Sequence, residues 1–222
     1  MTKTLILRTC TANLTSRNGF QWPETGHIEA PDWNPEPHCG NGLHGLHLGE
    51  GAGQLLDWDP AAKWLIVETE LDTLVDLGGK VKFPSGNVVH CGDRQSATEY
   101  LAADPRSAGR SITGGTATAG DRGTATAGDR GTATAGYRGT ATAGDRGTAT
   151  AGDRGTATAG HGGTATAGEA GVLAIHWYDA ERGTYRVEID YIGEIGLDPD
   201  IAYHLNDEHN FEPVEVPEDD AS

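Results

Sequence analysis

Gly115-Thr116-Ala117-Thr118-Ala119 is the first of seven copies of one pentapeptide, which returns at Gly123, Gly131, Gly139, Gly147, Gly155 and Gly163 with a strict period of eight. The joining triplets are Gly-Asp-Arg four times, Gly136-Tyr137-Arg138 once and Gly160-His161-Gly162 once. In an extended segment alternate side chains share a face, so Thr124 and Thr126 lie on one side and Ala125 and Ala127 on the other. Threonine suits a strand and its hydroxyl tolerates water, so the threonines are expected outside and the alanines inside. The glycines at both ends of each short strand read as corners with positive φ, and Asp-Arg as a solvated turn between them. Eight residues cannot close a coil around an interior. Two octads can, with two strands, two corners and a thin alanine core, and such coils stack as parallel strands about 4.8 Å apart. A flexible linker has no need of Thr-x-Thr parity held through every copy, whereas a solenoid does.

A 16-residue coil divides the threonines into two faces. The odd octads give Thr116, Thr118, Thr132, Thr134, Thr148, Thr150, Thr164 and Thr166, and the even octads give Thr124, Thr126, Thr140, Thr142, Thr156 and Thr158. Asp121, Tyr137 and Asp153 then fall on one edge, and Asp129, Asp145 and His161 on the other. Gly171-Val172-Leu173-Ala174-Ile175 stays in phase but turns the inward alanines into Leu173 and Ile175, as a last rung merging into a cap would. The octads resemble the tandem repeats of bacterial ice nucleation proteins, through Thr-Ala-Thr-Ala-Gly and Gly136-Tyr137. That resemblance covers about residues 114–170 and implies a β-solenoid with 16-residue coils. The chain departs from the family in its few coils, its one repeat tyrosine and its Thr-x-Thr on both faces, so the family's tyrosine ladder is missing.

The expected fold is mainly β: a short parallel β-solenoid between a small N-terminal α/β module and a C-terminal β-hairpin cap. The boundaries read as 1–108 for the module, 109–170 for the solenoid, 171–212 for the cap and 213–222 for an acidic disordered tail. In the module, residues 4–8, 64–69, 81–83 and 88–91 are apolar or β-rich runs and predict strands. Ser96-Ala97-Thr98-Glu99 predicts a capping box opening a helix that ends before Asp104-Pro105. Residues 22–37 hold four prolines and predict a loop, while Gly78-Gly79 and Pro84-Ser85-Gly86 predict turns around a short hairpin. Residues 172–178 and 184–192 predict a hairpin whose Trp177, Tyr178, Tyr185, Val187, Ile189, Tyr191 and Ile192 cover the solenoid end.

The module also carries Gly19-Phe20-Gln21-Trp22-Pro23, Ala30-Pro31-Asp32-Trp33, Cys39-Gly40-Asn41-Gly42-Leu43-His44-Gly45, and Val75-Asp76-Leu77-Gly78-Gly79-Lys80-Val81-Lys82-Phe83-Pro84. These motifs resemble a phage- and prophage-type family whose members carry octapeptide repeats after this module. The resemblance brings no activity with it, enzymatic or other.

Composition narrows the function. Glycine is 33 of 222 residues, about twice the usual share of roughly 7%, and only 36% are hydrophobic, which argues against one large core. With 16 basic and 33 acidic residues, the formal charge of −17 lacks the cationic footprint that a phosphate backbone needs. The segment from Glu194 to Ser222 holds ten of the acidic residues and no Lys or Arg. No apolar run approaches the roughly 20 residues of a membrane span, and Cys10, Cys39 and Cys91 have no framework spacing, so a reducing cytoplasm is the expectation.

Three chemistries compete with plainer structural readings. Cys39, His44 and His47 are zinc-type ligands, but their spacing fits a tight turn with a small thiol equally well. Gly42-Leu43-His44 resembles the strand of ADP-ribosyltransferase-like folds, which would place His44 on a dinucleotide and make Glu68 or Glu70 the catalytic carboxylate. A structural histidine in a Gly-rich turn is the alternative. The acidity would suit a nucleic-acid mimic or anti-defence protein, although the octads themselves balance four Asp against five Arg between Asp121 and Arg154. The reading that absorbs most of the sequence is a non-enzymatic structural or interaction protein. It has no cofactor, and its partner is an unidentified protein or a second copy of itself. Ice-surface binding through the threonine rows is the remaining alternative.

Overall fold

The structure is a computed structural model and describes residues 2–16, 18–194 and 196–215. It divides into two compact units, Met1–Thr116 and Ala117–Ser222.

In the first unit the strands are β1 (Lys3–Cys10), β2 (Gly26–Glu29), β3 (Leu43–His47), β4 (Lys63–Glu70), β5 (Val75–Asp76), β6 (Val81–Phe83) and β7 (Ser85–Gly92). They form one antiparallel sheet of order β2-β7-β4-β1-β3-β6-β5. Leu5-Ile6-Leu7 and Leu65-Ile66-Val67 are apolar without alternation because the central pair, β1 and β4, is buried on both faces. One face packs Ile6, Leu65, Val67, Phe83 and Trp22, and the other packs Leu5, Leu7, Ile66, Leu101 and Ile112. Pro84 alone links β6 to β7, which stand four places apart in the sheet. At about 4.8 Å per strand a flat sheet could not bring them together, so the sheet curls.

Several local expectations change here. Helix α1 (Arg94–Ala103) starts before Ser96, because the extended Asp93 is the N-cap and its carboxylate accepts from Ser96 N at 2.8 Å. The helix ends before Asp104, as its sequence implied. Residues 22–37 are not all loop: β2 sits between the prolines as an edge strand, where neighbouring prolines cost no ladder bond, and buries Ile28. The Gly-rich run also holds a strand, β3, in which Gly45 is required because a Cβ there would collide with Ile6 and the Leu7 carbonyl. Gly78 and Gly79 make a turn between β5 and β6, but Ser85 and Gly86 lie within β7. Residues beyond 108 still pack in this unit: Thr113 N donates to Gly49 O at 2.9 Å and Ile112 is buried.

The second unit is built on the repeat. Its rungs are β8 (Thr116–Ala119), β9 (Thr124–Ala127), β10 (Thr132–Ala135), β11 (Thr140–Ala143), β12 (Thr148–Ala151), β13 (Thr156–Ala159) and β14 (Thr164–Ala167), followed by β15 (Val172–Asp179). Neighbours in each sheet are 16 residues apart and parallel, as in Thr132↔Thr148 and Ala141↔Ala157. One sheet therefore stacks β8, β10, β12 and β14, and the other stacks β9, β11, β13 and β15. The alanines from Ala125 to Ala167 form the buried core, and their threonine neighbours face out.

The corners differ from the expectation. Positive φ falls on Arg122, Arg130, Arg138, Arg146 and Arg154, at 51° to 56°, and not on the glycines that flank each strand. Those glycines answer a different need. A Cβ on Gly147 would meet Ala143 Cβ at 2.8 Å, as one on Gly123 would meet Ala119 Cβ at 2.8 Å in the first coil, and the Gly131 carbonyl of the preceding coil at 3.0 Å. A Cβ on Gly144, at the other corner position, would meet Asp129 N of the preceding coil at 2.7 Å. On Gly120, its counterpart in the first coil, it would meet nothing within 4 Å, so there stacking is the cause. Asp in the corner is also more than a solvated turn. Asp121, Asp129, Asp145 and Asp153 accept from the backbone N–H 16 residues on, at 3.0–3.2 Å, fastening each coil to the next.

The cap has two parts. Strand β16 (Thr184–Tyr191) forms the expected hairpin with β15, and β17 (Ala202–Leu205) pairs antiparallel with β14, followed by β18 (Phe211–Pro213). The residues that extend the alanine core are Leu173, Ile175, Ile192, Leu197 and Tyr203. Of the row expected to cover the end, Ile192 is buried and Trp177 half-buried, but Tyr178, Tyr185, Val187, Ile189 and Tyr191 are exposed. In β16 they alternate with Arg186, Glu188 and Asp190, so the apolar set faces outward with the threonines. Of the acidic tail read at 213–222, residues 216–222 lie outside the described residues, while Pro213 ends β18.

Candidate functional surfaces

The threonine rows form one candidate surface. On one face Thr132, Thr148 and Thr164 are in register, with Thr134, Thr150 and Thr166 two residues along, and Thr116 and Thr118 belong to the adjoining first rung. On the other, Thr124, Thr140 and Thr156 stack beside Thr126, Thr142 and Thr158, then give way to Val172 and Ala174. Each face is thus an in-register array of paired methyl and hydroxyl groups, four rungs long on one side and three on the other. At about 4.8 Å per step the longer array spans roughly 15 Å.

The second surface is a cleft in the first unit with a volume of about 330 Å³, lined among others by Arg8, Cys39, His44, Asp57 and Lys80. β1 supplies Arg8, whose Nη1 donates to His44 O at 3.0 Å and whose guanidinium lies 5.1 Å from the Trp22 ring centre. Burial pushes the His44 ring down to about 4, helped by the nearby positive Lys80 and Arg8, so His44 is neutral. Arg8 Nε and His44 Nε2 are buried and meet no hydrogen-bond partner among the described residues. Lys80 Nζ donates to Cys39 Sγ at 3.1 Å and lowers the pKa of that exposed thiol, whereas burial raises those of Cys10 and Cys91. Lys82 is fully buried, with its ammonium on the carbonyls of His38 (3.0 Å) and Gly40 (3.4 Å), so it anchors the loop that carries Cys39.

The structure does not gather the sequence candidates into one centre. His44 and His47 are three residues apart on β3 and point to opposite faces, and His47 Nε2 is 2.8 Å from Thr4 Oγ1. Among the described residues, no group of three or more His, Cys, Asp or Glu side chains is arranged to hold a metal ion. Glu68 is tied into ion pairs with Lys3 (2.9 Å) and Arg106 (3.1 Å), which hold its carboxyl below the usual range. Glu70 stands opposite Lys3 at the far end of β4, and neither glutamate lines the cleft with His44. Arg8, Lys80 and Lys82 were not singled out from the sequence. The alternation of Lys80 and Lys82 around Val81 is a sequence signal that could place these two on one face.

Comparison with known proteins finds a family model and a set of relatives. A family model described as a domain of unknown function (DUF7666) matches residues 4–103. The ice nucleation protein of Pseudomonas syringae pv. syringae is 38% identical over 114 residues, 49% of this chain and 10% of that protein. That of Pseudomonas fluorescens is 39% identical over 102 residues, 45% of this chain and 8% of the relative. For Xanthomonas campestris pv. translucens the values are 38% over 104 residues, 46% and 7%. The chain thus spans a tenth or less of the length of these relatives. No solved structure matches. The repeats are similar to those of ice nucleation proteins, and the β-solenoid fits a structural repeat.

Proposed function

We propose that the chain is a non-enzymatic structural or interaction protein, in which the solenoid is a stiff element that presents surfaces to a protein partner or a second copy. The phage- or prophage-type origin suggested by the N-terminal motifs belongs to the same proposal. The observation that carries it is the solenoid interior: alanines from Ala125 to Ala167, each no more than 4% exposed, fill it in every coil. Such a core leaves no room for a ligand and makes the unit a spacer. The threonine arrays do not argue for ice nucleation by one molecule, because a template of roughly 15 Å is far smaller than an ice embryo stable at slight supercooling.

A second reading, adsorption to existing ice, is favoured by the in-register threonines on both faces. The same rows follow from strand chemistry alone, since β-branching suits the strand and hydroxyls suit water. Thermal hysteresis and ice shaping, measured on the full chain at high micromolar concentration, separate the two. Neither activity is expected. A clear hysteresis signal, abolished by Thr140→Lys with Thr142→Lys in a chain that still folds, would replace the structural reading with the ice-binding one.

A further inference from the structure

Strand β16 is the last strand of its sheet among the described residues. Ile192 N donates to Gly171 O at 3.0 Å, which makes 171/192 a hydrogen-bonded pair of the β15–β16 ladder. Antiparallel ladders alternate, so Asp190, Glu188, Arg186 and Thr184 turn their backbone groups to β15, and Tyr185, Val187, Ile189 and Tyr191 turn theirs to the open edge. Tyr191 is already satisfied, its N–H by Asp190 Oδ1 at 2.8 Å and its carbonyl by Glu194 N at 3.0 Å. Tyr185, Val187 and Ile189 are left with three N–H and three C=O groups. The same residues carry the exposed apolar row: Tyr185 55%, Val187 41% and Ile189 54% exposed, flanked by Tyr178 and Tyr191 at 47% and 51%. An unblunted edge with an apolar face is a template for another strand.

We propose that the occupant is a second copy of the chain, joined antiparallel about a two-fold axis through β16, with Val187 opposite Val187 of the second copy. This register follows from the strand itself. Pairing must set edge-facing residues against edge-facing residues, so only even shifts are available. Centring on Glu188 opposes two glutamates and calls on the occupied backbone of Tyr191. Centring on Arg186 opposes two arginines and uses fewer of the free groups. Centring on Val187 pairs Tyr185 with Ile189 twice, engages all six free backbone groups, and sets Arg186 opposite Glu188 twice on the other face. Those two side chains are already held in place, Glu188 accepting from Trp177 Nε1 at 3.0 Å and Arg186 lying 5.9 Å from the Trp177 ring centre. The inference concerns β16 alone and does not depend on the scaffold reading.

Sedimentation equilibrium of the full chain, from low micromolar to submillimolar concentration, tests it. The mass is expected to double with concentration. Val187→Lys, which touches neither Trp177 nor Asp179, should weaken association by about tenfold or more, as should Arg186→Glu and Glu188→Arg singly. An equimolar mixture of R186E and E188R should recover the dimer, because every 186–188 contact between the two variants then opposes unlike charges. Circular dichroism checks that each variant folds, and Val187→Lys keeps the test decisive if a charge swap does not. A wild-type chain that stays monomeric, a dimer indifferent to Val187→Lys, or a mixture no tighter than its components would overturn the proposal.

Discussion

Replacing Ala141 with leucine tests the solenoid core. Ala141 is fully buried and in register with Ala125 and Ala157 on its own sheet, and the facing sheet contributes Ala133 and Ala149, also fully buried. Neighbouring rungs about 4.8 Å apart leave no gap along the stack into which three extra carbons could turn. Along the described rungs, larger inward side chains first appear at Leu173 and Ile175, where β15 leaves the repeat. Leu at 141 must therefore part the sheets or bend the rung, an overpacking that costs about 1–3 kcal/mol. For a unit of this size that lowers the melting temperature by roughly 5–15 °C. Thr140→Leu adds comparable bulk one residue earlier, on the outward face beside Thr124 and Thr156, and should change stability by less than about 0.5 kcal/mol. Thermal melts followed by circular dichroism on the two variants and wild type give the comparison directly. Equal shifts from the two substitutions would refute the facing of the strands, and a stabilising Ala141→Leu would refute the close-packed core.

The corners make an unusual prediction: Gly147→Ala should destabilise by about 1–3 kcal/mol through its collision with Ala143 and the coil beneath. Arg146→Gly should stay within about 1 kcal/mol of wild type on the stabilising side, because relief at φ 54° is offset by glycine's chain entropy. Urea melts of both variants check the contrast, and the reverse order would restore glycine as the positive-φ corner. For the first unit, His44 has a folded pKa of about 4 against an ordinary 6.5, so the unfolded chain binds more protons between those values. Stability should accordingly be full above pH 6.5 and fall as the pH drops toward 4, with His47 contributing in the same direction. His44→Gln should flatten that slope in melts taken between pH 7 and 4.5, and an unchanged slope would mean the ring is not neutralised by its surroundings.

The repeat was legible because two independent periods agree in it. Alternation assigns Thr and Ala to opposite faces, and the eight-residue repeat needs doubling to enclose anything, which yields the observed 16-residue pairing. The corner glycines were misread because sequence alone does not distinguish a residue needing positive φ from one that must lack a Cβ. Only the close approach of Ala143 and of the neighbouring coil to Gly147 decides between them. β2 and β3 were hidden for a related reason: prolines beside an edge strand and a glycine under close approach both look like loop. The cleft was hardly legible at all. Arg8, Cys39 and Lys80 are joined by sheet order and a long connection, and no short-range spacing records that Cys39 and Lys80, 41 residues apart, meet at 3.1 Å. The exposed row on β16 carries the same lesson, since apolar alternation marks a shared face without saying whether the protein covers it.

The doubled octad leaves the solenoid with a bookkeeping problem of its own. Rungs of identical sequence pair as well with one coil as with the next, so a chain that slipped by 16 residues would keep every alanine inside and every threonine outside. Nothing in Gly-Thr-Ala-Thr-Ala distinguishes the correct stack from such a neighbour. What does are the few places where the repetition is broken. Tyr137 offers no carboxylate to the coil that follows it, His161-Gly162 replaces Asp-Arg, and Leu173 and Ile175 require the wider space beside Leu197 and Tyr203. These irregularities work as index marks on an otherwise unmarked ruler. Erasing them, by making every octad Gly-Thr-Ala-Thr-Ala-Gly-Asp-Arg, would leave the native energy almost unchanged while multiplying the stacks that compete with it. The expected symptom is slow, heterogeneous refolding in a protein whose melting temperature hardly moves.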